Sequence, residues 1–118
     1  MQFTTKLIPF AIALAFAGSA SAQEVVRIGH VGPISGASAH LGKDNENGAK
    51  RAIDELNAKG FTLAAKKVKL ELLAEDDAAD PKQGTAAAQK LVDAKVHGVV
   101  GHLNSGTSIP ASKIRSEG

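Results

Sequence analysis

The 118-residue sequence contains no cysteine, which removes a disulfide framework and a thiolate metal site together. Neither sign of charge prevails, since 14 Lys and Arg face 12 Asp and Glu. Binding to nucleic acid needs a concentrated basic face. The one basic cluster, Lys66-Lys67-Val68-Lys69, reads instead as a solvated loop leading into a strand. Tyr and Trp are absent and Phe occurs four times. Long apolar runs are also missing: Leu7 to Ala17, interrupted by Pro9, falls well short of the roughly 20 residues that span a bilayer.

What that short run does fit is an export signal. Lys6 supplies a positive start, the apolar stretch follows, and Ala20-Ser21-Ala22 closes it with the small residues of an A-x-A cleavage site. Residues 1–22 are therefore expected to be a signal peptide cleaved after Ala22, with the mature chain beginning at Gln23 in the periplasm. Without Lys6, 13 basic residues remain against 12 acidic ones, a balance that again excludes nucleic acid as a partner.

From Val25 the chain alternates between two periodicities. Val25 to Gly32 is short and β-branched and stops at Gly32-Pro33, which predicts a strand. Pro33 to Gly42, rich in Gly, Ser and Ala, reads as a loop. A helix is predicted from about Asp44 to Lys59, because Ala49, Ala52, Ile53 and Leu56 recur at i, i+3, i+4 and i+7. Asp44 and Glu46 are expected in its first turn, Lys59 in its last, and Gly60 as its stop.

A second strand, Val68 to Leu73, runs into the acidic series Glu75-Asp76-Asp77. Asp80-Pro81 predicts a helix start, with Asp as N-cap and Pro at the first helical position. That helix, about Pro81 to Lys95, buries Ala87, Ala88, Leu91 and Val92. Val96 to Leu103 is the third strand, and a third helix follows from about Gly106. This βαβαβα order predicts an open parallel α/β sheet with right-handed crossovers. The pattern ends soon after the third helix begins, so residues 23–118 read as an incomplete domain.

Ligands of open α/β sheets bind beyond the carboxyl ends of the strands, which singles out three loops: Pro33 to Gly42, Glu75 to Asp80 and His102 to Ser108. None carries a catalytic signature. Gly29, Gly32 and Gly36 do not make G-x-G-x-x-G, and there is no G-x-x-x-x-G-K-[ST] phosphate loop. The turn Gly101 to Gly106 lacks the G-x-S-x-G of a nucleophile elbow. His30, His40, His97 and His102 have no i, i+4 pairing for a metal and read as loop or strand-end residues. The adjacent acids 75–77 point in different directions, as a solvated loop with one buried member would.

The turn Leu103-Asn104-Ser105-Gly106-Thr107-Ser108 offers something else. It sets hydroxyls and free backbone N–H groups at a helix N-terminus, where an anion such as an amino-acid α-carboxylate can bind. Simple capping of the helix by Ser105 or Thr107 explains the same residues equally well.

Here the chain resembles a known family. Gly101 to Gly106 with Pro110-Ala111-Ser112, Val31 to Gly36, Asp76 to Gln83 and the segment Asn47 to Gly60 together resemble the periplasmic leucine/isoleucine/valine-binding proteins, over essentially residues 24 to 118. The resemblance implies a type I periplasmic binding fold, of which residues 23–118 would be an incomplete first lobe. It implies a protein that closes two lobes on a branched-chain or related amino acid and docks on an inner-membrane ABC permease, without enzymatic activity or cofactor. By position it implies that Ser105 contacts the ligand α-carboxylate with Asn104 beside it. Leu41 falls near the pocket at a position often aromatic in the family. Some relatives join two loops by a disulfide, and the equivalent positions here are Ala79 and Asn104, so both cysteines are absent together. A ligand-sensing domain of the same fold is the alternative function, and a dinucleotide-dependent enzyme a more distant one.

Overall fold

The computed structural model describes Gln2 and residues 23–118, so the expected signal peptide and its cleavage after Ala22 lie outside the described residues. The elements run β1 (Glu24–Gly32), α1 (Ala39–Lys59), β2 (Phe61–Leu63), β3 (Lys66–Asp76), α2 (Pro81–Asp93), β4 (Gly98–Gly101) and α3 (Ser105–Glu117). They form one sheet in the order β2-β3-β1-β4. β1 pairs in parallel with β3, Glu24 opposite Val68 through Gly32 opposite Asp76. On its other side β1 pairs in parallel with β4, Ile28 opposite Gly98. The expected α/β sheet with parallel pairing is the one observed.

Side-chain alternation on the strands then sends two cores to opposite faces. Val26, Val68 and Leu70 face α1, packed by Ile28, Ile53 and Phe61. Val31, Ala87 and Leu91 build the other core beneath α2, with Leu73, Val96 and Val99. Gly29 on β1 is what lets α2 come so close: a Cβ there would lie 2.7 Å from a Leu91 methyl carbon. α3 packs on α2 rather than on the sheet, with Ala88 and Ala111 fully buried.

Local structure departs from the sequence expectations in four places. α1 starts at Ala39, inside the stretch expected as loop. Gly36, at φ 79°, turns the chain so that Ala39 N–H reaches the Gly36 carbonyl and Leu41 N–H reaches that of Ser38. Asp44 and Glu46 therefore miss the first helical turn, which has no acid. The basic segment expected as a solvated loop is the start of β3, and its partner β2 adds an antiparallel edge strand. Its turn has no compositional sign, because two alanines, Ala64 and Ala65, hold the positive φ angles that Gly or Asn would advertise. α2 ends at Asp93 and β4 keeps only the centre of the expected third strand. The left-handed Lys95 breaks the chain between them.

Where the start signals were strong, they hold. The Asp80 carboxylate accepts from Gln83 N–H at 2.9 Å, with Pro81 first in the helix. Gly60 takes φ 79° at the end of α1.

Candidate functional site

The chain passes from β1 to β3 on one side of β1, then crosses back through α2 to β4 on the other side. The loops after β1 and β4 consequently diverge, and the crevice at that switch point is where open α/β sheets take ligands. All three loops singled out above emerge at this end.

Asp76, the last residue of β3, ties two of them together. One carboxylate oxygen accepts from Ile34 N–H at 2.8 Å and Ala78 N–H at 2.9 Å, and the other from the Ser35 hydroxyl at 2.5 Å. Burial alone would raise the Asp76 pKa, but these bonds outweigh it and hold the group below its ordinary value. The loop after β3 is a left-handed turn: Ala78 and Ala79 sit at φ 49° and 57°, closed by Asp80 N–H on the Asp77 carbonyl at 2.8 Å. Alanine in that conformation costs roughly 1–2 kcal/mol per residue. The Asp76 and Asp77 carboxylates hold it by accepting the N–H groups of Ala78 and Ala79.

The acidic series thus has one fully buried member, Asp77, as expected, yet it is no solvated loop. Glu75 pairs with Lys90 at 3.5 Å and Asp76 is the clamp. Nor are His30 and His102 ordinary loop or strand-end residues. His30 and His102 are 2% and 7% exposed, and the Asp77 charge reaches both. Burial pushes the His30 pKa below its ordinary value, against the opposing pull of Glu46 and Asp77. The period of β1 could have revealed His30, which shares a face with the buried Val26. Side-chain atoms Nδ1 of His30 and His102 and Oδ2 of Asp77 are buried without a hydrogen-bond partner. No group of three or more His, Asp and Glu among the described residues stands close enough to hold a metal ion.

Asn104 is the N-cap of α3, in extended conformation, and its side chain makes no capping bond. Thr107 supplies the local closure, its hydroxyl donating to the Asn104 carbonyl at 2.9 Å. Thr107 and Ser108 N–H groups reach the same carbonyl. Ser105 is the first residue of the helix and exposed, so the cap is not its role. Its N–H and that of Gly106 belong to the first turn, where no carbonyl of the helix can pair with them. Hydroxyl and N–H groups stand together at the positive end of a 13-residue helix, an arrangement suited to a carboxylate.

Of the expected site residues, Asn104 and Ser105 are adjacent on this turn. Leu41 belongs to a different element, the first turn of α1, at the same end of the sheet, and is 49% exposed. Beside the turn, between α1 and β4, runs an open groove of about 910 Å³ lined by Ile28, Ile53, Val100 and Leu103 with both buried histidines.

A model of the periplasmic binding protein family matches residues 25–115. The chain is 42% identical over 117 residues to the Leu/Ile/Val-binding protein BraC3 of Rhizobium johnstonii, covering 99% of this chain and 30% of that protein. It superimposes on the branched-chain amino acid transporter substrate binding protein LivJ of Streptococcus pneumoniae, solved with isoleucine, with a TM-score of 0.72 and 28% identity. That match covers 80% of this chain and 26% of that one. An ABC transporter substrate-binding protein of Desulfitobacterium hafniense, solved with leucine, matches with a TM-score of 0.65 and 35% identity, over 80% and 26% of the two chains. The chain thus spans under a third of the length of the relatives it matches.

Proposed function

The chain belongs to the periplasmic binding protein family, and on that premise we propose that it is part of the extracytoplasmic solute-binding component of an ABC transporter. Its ligand is a branched-chain or related amino acid, held between two lobes, of which residues 23–118 belong to the first. Delivery to an inner-membrane permease is the purpose of that binding, and residues 1–22 direct the protein to the periplasm. The protein binds without catalysing.

The observation that carries this reading is the β4–α3 turn. Ser105 presents a hydroxyl that no cap requires, beside first-turn N–H groups, at the crevice where such sheets bind ligands. In this assignment Ser105 and the α3 N-terminus take the α-carboxylate, Asn104 supports them, and Leu41 contributes an apolar wall where a ring would stack. Relatives solved with leucine and isoleucine support the ligand class.

Calorimetric titration of leucine, isoleucine and valine into the protein carrying this chain tests the proposal. Ser105→Ala should weaken binding by about 2 kcal/mol, as for one hydrogen bond to a charged partner. An unaltered dissociation constant would remove Ser105 from the site.

A further inference from the structure

His102 is the buried residue at the root of the β4–α3 turn, and it is held through both its main chain and its ring. Its carbonyl accepts from the Ser108 hydroxyl at 3.1 Å. Its ring Nε2 lies 3.3 Å from the Gly84 carbonyl of α2. A carbonyl can only accept, so Nε2 is the ring nitrogen that carries a proton in this contact. Gly84 is also where the two helices touch: a Cβ there would stand 2.9 Å from the Thr107 Cβ. One residue earlier, the Gly101 carbonyl accepts from Arg115 at 3.3 Å.

We propose that His102 is a positioning residue, whose Nε2–H ties the root of the β4–α3 turn to Gly84 and so fixes where Ser105 and the first N–H groups of α3 are presented. This rests on the assignment of that turn to the ligand carboxylate. Thr107 meets α2 by packing alone; the imidazole adds a polar, directional contact. The Gly84 carbonyl already takes the helix bond from Ala88 N–H, so the imidazole is its second donor, and a hydrocarbon side chain would fill the same space without that directional tie.

The charged groups around the ring come from every neighbouring element. Asp77 approaches from the loop after β3 and Arg115 from α3. His30 on β1, with Asp44 and Arg51 on α1, lines the adjoining groove. Burial disfavours the cation most; the Gly84 bond and Asp77 oppose it, Arg115 adds to it, and the net pKa lies below the ordinary value. The neutral donor tautomer therefore persists through neutral pH.

Two variants and one spectrum test this. In ¹⁵N-histidine NMR spectra of the wild-type protein at neutral pH, His102 should show the Nε2–H tautomer. His102→Leu should displace the Ser105 and Gly106 amide signals and weaken leucine binding about tenfold, the loss of one hydrogen bond. His102→Gln, which keeps an N–H at similar reach, should restore most of both. Ser105 and Gly106 amides unmoved by the substitution would overturn the proposal, and an Nδ1–H tautomer in the wild-type protein would overturn it even if the leucine variant did not fold. Displaced amides with unchanged leucine affinity would uphold the positioning role and refute the ligand assignment of the turn.

Discussion

Asn57, in the last turns of α1, pairs with Leu70 on β3 as a neighbouring strand would. Its side-chain amide donates to the Leu70 carbonyl at 2.8 Å and accepts from the Leu70 N–H at 2.9 Å. β2 covers β3 only from Lys66 to Val68, so this amide continues the edge where β2 stops. Open edges invite pairing with foreign strands, and one side chain closes part of this one.

Asn57→Leu preserves bulk but leaves a donor and an acceptor of the buried Leu70 unpaired. Stability should fall by about 2 kcal/mol, read as a lower urea midpoint at constant slope. Asn57→Asp should also destabilise, because it keeps the acceptor and loses the donor. If both variants melt like wild type, water serves this edge as well as the amide does.

Asp76 should set an acid limit. Its folded pKa is depressed, so the stability it contributes is present above its unfolded pKa and is lost as pH falls through the folded value. The loss therefore belongs below about pH 4. Asp76→Asn should flatten that part of the stability profile while lowering stability at neutral pH, since an amide cannot accept from Ile34, Ser35 and Ala78 together. An identical acid limb in the variant would show that another carboxylate governs it.

His30 acts in a different window. Its folded pKa is also lowered, which here means that the folded state resists a proton the unfolded chain accepts. No effect is expected well above the unfolded value near 6.5. As pH falls below it the unfolded state gains protons first and stability declines. Thermal melts from pH 7.5 to 5 should show the decline, reduced in His30→Val.

Two glycines of α1 should respond in opposite directions to the same substitution. At Gly48 a Cβ meets nothing within 4 Å, so Gly48→Ala should stabilise by about 1 kcal/mol through helix propensity alone. At Gly42 a Cβ would lie 1.9 Å from the Pro33 carbonyl oxygen, backbone against backbone. Gly42→Ala should destabilise by about 1–3 kcal/mol as the loop after β1 is displaced. Denaturant midpoints of the pair decide it, and matching signs would contradict the packing described for the start of α1.

The amino-acid order revealed most where a local signal and the tertiary fold agree. Asp80-Pro81 announced α2 because capping and a fixed φ are properties of those two residues alone. The βα alternation disclosed the parallel sheet because apolar period follows burial. What remained hidden depends on contacts across the chain. The start of α1 was masked because Gly42, a poor helix former, is required there by Pro33. His30, Asp77 and His102 stand far apart in sequence, and only the convergence of three strand ends puts them together. The β2–β3 turn was hidden because alanine occupies left-handed positions without any compositional sign. Ser105 and Asn104 were visible as a turn, but the separation of Thr107 as the closing residue from Ser105 as the exposed one needed the geometry.

The order of strands has a consequence for how the chain acquires its structure. β1 is the centre of the sheet, yet both of its partners follow it: Glu24 meets Val68, and Ile28 meets Gly98. Among the described residues only the β2–β3 hairpin, joined by Ala64 and Ala65, pairs strands that are close in sequence. Each β1 pairing must close a long loop before any contact rewards it, and such non-local closure slows folding. β1 precedes both partners along the chain, so its pairing with each waits until the intervening elements have been made.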